Sequence, residues 1–168
     1  ATGVSVAEIE GRHAVECMFG DKQTKLSYEN LSSIMFLDPE VAAVGMNELQ
    51  ARKKGLAYRV ATYGYEMMSR AIAMRSTNGF LKILVTDDEE MLILGMRALG
   101  AHASTALQSV ALMIQHKMSI RELAELWHPH PAMTEGLQEC ARMLLETSIF
   151  KPQVFQKQLR LVRVKGRE

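Results

Sequence analysis

A chain of 168 residues with 48% hydrophobic and 23% charged side chains can bury a core without metal or disulfide staples, and its composition is that of a globular domain. A net charge of +1 gives no basic field of the kind that binds nucleic acid, and no apolar run approaches the roughly 20 residues that span a bilayer. Two cysteines, Cys17 and Cys140, form no CxxC and no metal-ligand spacing; they read as reduced, partly buried thiols.

The first residues hold no positive stretch followed by an apolar one, so no signal peptide is visible, and Ala1 in place of Met suggests a processed start. Residues 4–19 read as a helix. Val4, Ala7, Ala14, Val15 and Met18 make a broken apolar stripe, Gly11 suggests close packing against another element, and Gly20 with Asp21 ends the helix. Residues 22–30 are polar and read as a loop. Ser33-Ile34-Met35-Phe36 and Val41-Ala42-Ala43-Val44-Gly45 are two short strands, with Asp38-Pro39 between them. Asn47 suits the N-cap of a helix from Glu48 to about Lys54, closed by Gly55. Residues 56–65 alternate as a strand does.

The clearest β signal is the pair of apolar runs 79–86 and 91–100 around Asp87-Asp88-Glu89-Glu90, which predicts a hairpin with a solvated acidic tip; metal binding there lacks spaced ligands. The period then turns helical. Ala103, Ala106, Leu107, Val110, Ala111 and Ile114 share one side of a helix over 103–116, and Ser119 caps a short helix to Leu126. A last helix runs from Glu135 to about Thr147 with Leu137, Cys140, Ala141, Leu144 and Leu145 inward. Strands followed by helices predict an α+β fold, an antiparallel β-sheet layered with helices and preceded by an N-terminal helix. The twelve methionines read as adaptable core or interface filling.

The stretch 148–168 is basic, with Lys151, Lys157, Arg160, Arg163, Lys165 and Arg167, yet Phe150, Val154, Phe155, Leu159, Leu161, Val162 and Val164 make it too apolar for a free linker. It reads as an arm packing on its own or a partner subunit; a nucleic-acid arm is the alternative.

The loop Trp127-His128-Pro129-His130-Pro131-Ala132-Met133-Thr134-Glu135 concentrates the chemistry. Pro131 disfavours the α region for His130, and Thr134 can cap a helix starting at Glu135. A carboxylate in a first helical turn stays ionised, and beside an imidazole it fixes the tautomer, as in a base and its orienter. On local pattern alone, a polar loop that merely initiates a helix explains these residues too. His13, His102 and His116 read as surface or packed residues, and His128 as structural or interfacial.

Four landmarks in order resolve this ambiguity. Phe36-Leu37-Asp38-Pro39-Glu40-Val41-Ala42-Ala43-Val44-Gly45 resembles the phrase that opens the dimerisation domain of the flavin-dependent pyridine nucleotide–disulfide oxidoreductases. Ser69-Arg70-Ala71-Ile72-Ala73-Met74 with Gly79-Phe80-Leu81-Lys82, then Leu94-Gly95 with Gly100, resemble that family's next landmarks. His130-Pro131 closing with Glu135 resembles its His-Pro-Thr-x-Ser-Glu signature. Ala132 stands at the signature's Thr and Thr134 at its Ser, Thr105 where relatives often carry an acidic residue, and the usual Pro near Ala101-His102 is missing.

The resemblance runs from about Ser32 to Leu145 and is to a dihydrolipoamide dehydrogenase-like member of the family. It implies a trailing helix and linker over 1–31, a dimerisation domain over 32–147 and a basic extension over 148–168. By the same resemblance His130 is the acid–base for a dithiol/disulfide on the partner subunit, Glu135 orients it, and the backbone of His130 and Pro131 lies near the partner's flavin. FAD and NAD(P) belong to the full-length enzyme, with none expected on this stretch, because the chain has no GxGxxG and no redox cysteine pair. A homodimer, missing N-terminal FAD and NAD(P) domains, no nucleic acid, no membrane, and a place in the cytoplasm or an organelle matrix complete the expectation. A non-catalytic homodimerising module and part of a soluble transhydrogenase-like flavoprotein are the alternatives; mercuric reduction is set aside for want of a C-terminal vicinal cysteine pair.

Overall fold

The structure, a computed structural model, describes residues 3–21 and 25–166. Ala1, Lys22, Gln23, Thr24 and Arg167, which figure in the expectations above, lie outside the described residues.

Six strands form one antiparallel sheet: β1 (Ser32–Met35), β2 (Val41–Gly45), β3 (Tyr58–Gly64), β4 (Phe80–Thr86), β5 (Ile93–Leu99) and β6 (Leu159–Val164), in the order β1-β2-β5-β4-β3-β6. The expected hairpin pairs β4 with β5 from Phe80 opposite Leu99 to Val85 opposite Ile93. Strand alternation then sorts side chains to two faces. Ala61, Tyr63, Leu81, Ile83 and Val85 enter the main core. Tyr58, Val60 and Leu84, the alternate positions, join Ala51 in a smaller cluster on the other side.

Helices α4 (Leu107–Gln115) and α6 (Glu135–Leu144) cover the main face; α6 lies on β3 and β4, and α4 lies on β5 and β2. Short α5 (Ile120–Glu125) packs on α6, and α3 (Ser69–Ala73) follows a 3-10 turn at Tyr65–Met67. Leu137, Cys140, Ala141 and Leu144 of α6 are buried as their spacing requires. Helix α2 (Glu48–Lys53) starts in a full capping box: Asn47 accepts from the Gln50 N–H, and the Gln50 side chain accepts from the Asn47 N–H. Met68, Met91, Met96, Met113, Met133 and Met143 fill core space.

Two landmark glycines have physical reasons. At Gly95 a Cβ would run into the Met46 backbone, so only glycine lets β5 approach it this closely. Gly100 has φ 135° and faces the Tyr65 ring, which leaves no room for a side chain.

Several expectations need correction. Helix α1 (Val4–Phe19) forms as predicted, but none of its residues is buried, and a Cβ at Gly11 would touch nothing among the described residues. Tyr28, whose hydroxyl donates to Glu10 at 2.7 Å, is one tie between α1 and the linker. The stretch 103–116 opens as a 3-10 turn, Ala103–Ala106, which His102 enters in the left-handed region (φ 56°). Cys17 is exposed on α1, not partly buried, with its Sγ 3.5 Å from His13 Nε2; Cys140 is wholly buried.

The acidic tip is not simply solvated. The Asp87 side chain is 6% exposed and takes hydrogen bonds from Arg59 Nε of β3 and, at 2.7 Å, from Arg163 Nε of β6. Burial opposes its ionisation, but the hydrogen bonds from Arg163 and Arg59 outweigh that and hold its carboxyl below the ordinary Asp value. One carboxylate thus ties three strands. Residues 148–168 supply β6, which pairs with β3 from Tyr58 opposite Val164 to Tyr63 opposite Leu159. The basic residues Arg160 and Arg163 stand on the new sheet edge, where charge discourages further pairing.

Candidate active site

The loop between α5 and α6 is held at both ends. At its start, Gln138 Nε2 of α6 donates to the carbonyls of Ala124 (3.1 Å) and Leu126 (2.9 Å), pinning the C-terminal end of α5. At its end, Met133 and Thr134 accept the first backbone bonds of α6, from Gly136 and Leu137. The His130–Pro131 peptide is cis.

Thr134 does not cap α6. Its backbone is already helical (φ −67°, ψ −18°) and its side chain makes no capping bond, because a capping hydroxyl needs extended backbone to turn back on the helix N–H groups. Glu135 works in the opposite direction. Its Oε2 accepts the Ala132 N–H at 2.7 Å, so the carboxylate grips the loop that precedes it.

The other oxygen of Glu135 lies 2.7 Å from His130 Nδ1. Burial opposes ionisation of Glu135. The hydrogen bonds from His130 and from the Ala132 N–H, with smaller charge effects of His130 and His128, overcome it and hold the carboxyl below the ordinary Glu value. An ionised carboxylate only accepts, so Nδ1 carries the proton and Nε2 is the nitrogen free to take or give one. The His130 side chain is 68% exposed, so a reacting group can reach it. Chemically this is an oriented acid–base.

The structure thus brings His130 and Glu135 together. His13, His102 and His116 lie elsewhere: on α1, before the 3-10 turn and at the end of α4. Three contributors escaped the sequence reading: the Ala132 N–H, Gln138, and His128, whose charge favours ionised Glu135. A backbone donor has no residue signature, and Gln138 reads as any polar helix residue; only the adjacency of His128 to the loop was visible. A cavity of about 490 Å³ lies apart from this pair, between Tyr28, Gly45, Met46, Lys54, Leu94 and Lys117. The pair therefore has no enclosing walls from that cavity.

Residues 31–141 match the family described as pyridine nucleotide-disulphide oxidoreductase, dimerisation domain. The chain belongs to this family. Among relatives of this dimerisation domain, the dihydrolipoyl dehydrogenase of Bacillus subtilis (strain 168) is 32% identical over 143 residues, covering 85% of this chain and 30% of its own length. The mitochondrial dihydrolipoyl dehydrogenase 1 of Arabidopsis thaliana is 35% identical over 135 residues, covering 80% of this chain and 26% of its own. LpdA of Mycobacterium tuberculosis superposes with a TM-score of 0.75 at 25% identity, over 83% of this chain and 30% of that one. The HOCl-induced flavoprotein disulfide reductase RclA of Escherichia coli shares the fold, with a TM-score of 0.77 at 23% identity over 86% of this chain and 33% of that one. The α+β expectation and the family resemblance both hold. The chain spans about a third or less of these relatives. No helix among the described residues is long and apolar enough to cross a membrane.

Proposed function

We propose that this domain serves a dihydrolipoamide dehydrogenase-like dithiol/disulfide oxidoreductase as its homodimer interface and gives the partner subunit its acid–base. His130 takes the proton of a substrate dithiol on Nε2 as the thiolate attacks the disulfide of the partner subunit. One S–S bond breaks and another forms, and two electrons pass from the substrate sulfurs to the protein's disulfide. Glu135 holds the Nδ1–H and stabilises the imidazolium that results. The observation that carries this reading is the 2.7 Å contact between Nδ1 and an ionised carboxylate on a domain of this family.

All pairings in this sheet are antiparallel, whereas dinucleotide folds use parallel strands with a Gly-rich turn into a helix. FAD and NAD(P) would therefore be held by parts of a longer protein, with the His130 and Pro131 backbone near the partner's flavin. When bound, those cofactors carry the two electrons onward from the disulfide. The exposed stripe of α1 would pack on the FAD-binding part, and residues 1–31 would link it to the dimerisation domain at 32–147. Residues 148–168 would be the extension whose strand closes one sheet edge. A place in the cytoplasm or an organelle matrix accords with the mitochondrial relative from Arabidopsis thaliana.

In the full-length protein, His130→Gln should cut dithiol oxidation by about 10²–10⁴-fold while flavin binding survives. Turnover unchanged by that substitution rejects the assignment.

A further inference from the structure

The cavity of about 490 Å³ opens at the opposite end of the sheet from the His130 pair. Leu92 and Leu94 line it at the start of β5, beside the hairpin tip, whereas the first turn of α6 stands over Leu81 near the other end of β4. Its remaining apolar wall comes from Met46 after β2 and Ile114 of α4, and Tyr28 of the linker closes one side. These walls are fixed across the fold. The Met46 N–H donates to the Leu94 carbonyl at 2.8 Å, and Asn30 Nδ2 of the linker donates to Gln115 Oε1 of α4 at 3.1 Å. Gly45 sits at φ 66°, where a Cβ would run into the Leu94 carbonyl and Ile114, so only glycine leaves this corner its shape. A volume of this size falls in the range of roughly 300–1,000 Å³ that takes a small organic ligand.

Two ammonium groups edge these apolar walls. Lys54 at the end of α2 and Lys117 after α4 both line the cavity, and neither makes an ion pair among the described residues. Glu29 is the one carboxylate of the lining, so the charge balance there is positive. We propose that this cavity binds a small organic carboxylate with an apolar body. The body packs against Met46, Leu92, Leu94 and Ile114, and the carboxylate is taken by Lys54 and Lys117. The two halves of the lining exclude simpler ligands. A neutral apolar molecule would leave both ammonium groups without a partner, and a compact inorganic anion would leave the apolar walls uncovered. No imidazole or thiol lines the cavity, so its part is binding and not proton transfer. The site thus stands apart from the function proposed above, and neither depends on the other.

The test uses the 168-residue chain with carbon-13-labelled methionine methyls and 2-naphthoate as the probe, beside the neutral 2-naphthalenemethanol. The Met46 resonance is the one lost in Met46→Leu. Naphthoate should shift it along a saturating curve, with a Kd of about 1 mM or tighter, while Met133 beside the His130 pair stays in place. Added salt should weaken the naphthoate and leave the alcohol unaffected. Lys54→Ala with Lys117→Ala should weaken naphthoate about three- to tenfold and spare the alcohol, because both lysines are exposed and act through charge alone. Arginine at both positions should restore the binding. Leu92→Trp, which fills the cavity, should abolish the Met46 shift with either probe while the other methionine signals remain those of the folded chain. A Met46 methyl that naphthoate leaves unmoved, or moves without saturating, overturns the proposal. So does a double lysine variant that loses the alcohol as much as the acid.

Discussion

Glu135 Oε1 meets His130 Nδ1 at 2.7 Å while its Oε2 meets the Ala132 N–H at the same distance, so one carboxylate fixes both the ring and the loop that carries it. Because the His side chain is largely open to water, the pair contributes little to global stability, on the order of 1 kcal/mol or less. Its consequence is a defined tautomer. In Glu135→Ala, nitrogen NMR of neutral His130 should show the proton moving from Nδ1 toward Nε2, the preference of a free imidazole. An unchanged tautomer would mean that the carboxylate does not orient the ring. The carboxyl itself should titrate below the ordinary Glu value of about 4.3, and higher in His130→Ala, which removes the leading hydrogen bond. With the folded value depressed, the interaction is present above the ordinary Glu value and is lost as pH falls through the folded one.

Asp87 links Arg59 of β3 and Arg163 of β6, and so governs how firmly the C-terminal strand docks. Asp87→Asn should destabilise the chain by about 1–3 kcal/mol, less than a fully buried pair because Arg163 is 66% exposed and can be rehydrated. Proteolysis should then cut first in the segment before β6. Since the folded Asp87 value is depressed, its contribution is full at neutral pH, begins to fall below the ordinary Asp value of about 3.9 and is lost as pH drops through the folded value, where wild type and variant should converge. Equal denaturation midpoints at pH 7 would show that β6 docks by backbone pairing alone.

The two thiols should separate cleanly. Burial, and then the Glu139 charge, push the Cys140 thiol far above its ordinary range, and its Sγ lies 3.7 Å from the Leu81 carbonyl. Cys17 is exposed. A thiol reagent should therefore modify one cysteine quickly in the native chain and two in denaturant; two fast thiols in the native chain would place Cys140 outside the core.

Gly95→Ala should be among the most damaging small substitutions. The added methyl would meet Met46 backbone atoms, which cannot rotate away as a side chain can. A loss of about 3 kcal/mol or more is expected, through parting of β2 from β5, and thermal unfolding reads it directly. At Gly136 a Cβ would press instead on the flexible end of Met68 and on Leu81, so Gly136→Ala should cost less. The reverse ranking would contradict the observed β2–β5 register.

The sequence by itself determined most local structure, since local structure follows from local rules. Asn47 with Gln50 specifies a capped start for α2, the alternation over 79–100 specifies the hairpin, and the spacing of Leu137, Cys140, Ala141 and Leu144 specifies the inward face of α6. It also placed His130 and Glu135 within one loop, and the ordered landmarks tied that loop to a family. Tertiary structure alone decided the rest. Asp87 and Arg163 are 76 residues apart, and no local pattern tells a carboxylate at a solvated tip from one clamped between two arginines. The strand at 159–164 has a partner only because β3 offers it an edge. Thr134 looked like a cap, but the backbone at that residue is set by the packing of the whole loop, and the capping hydroxyl went unused. Hydrogen-bond partners far apart in sequence are chosen by the fold as a whole, and that is where the geometry of the His130 site was settled.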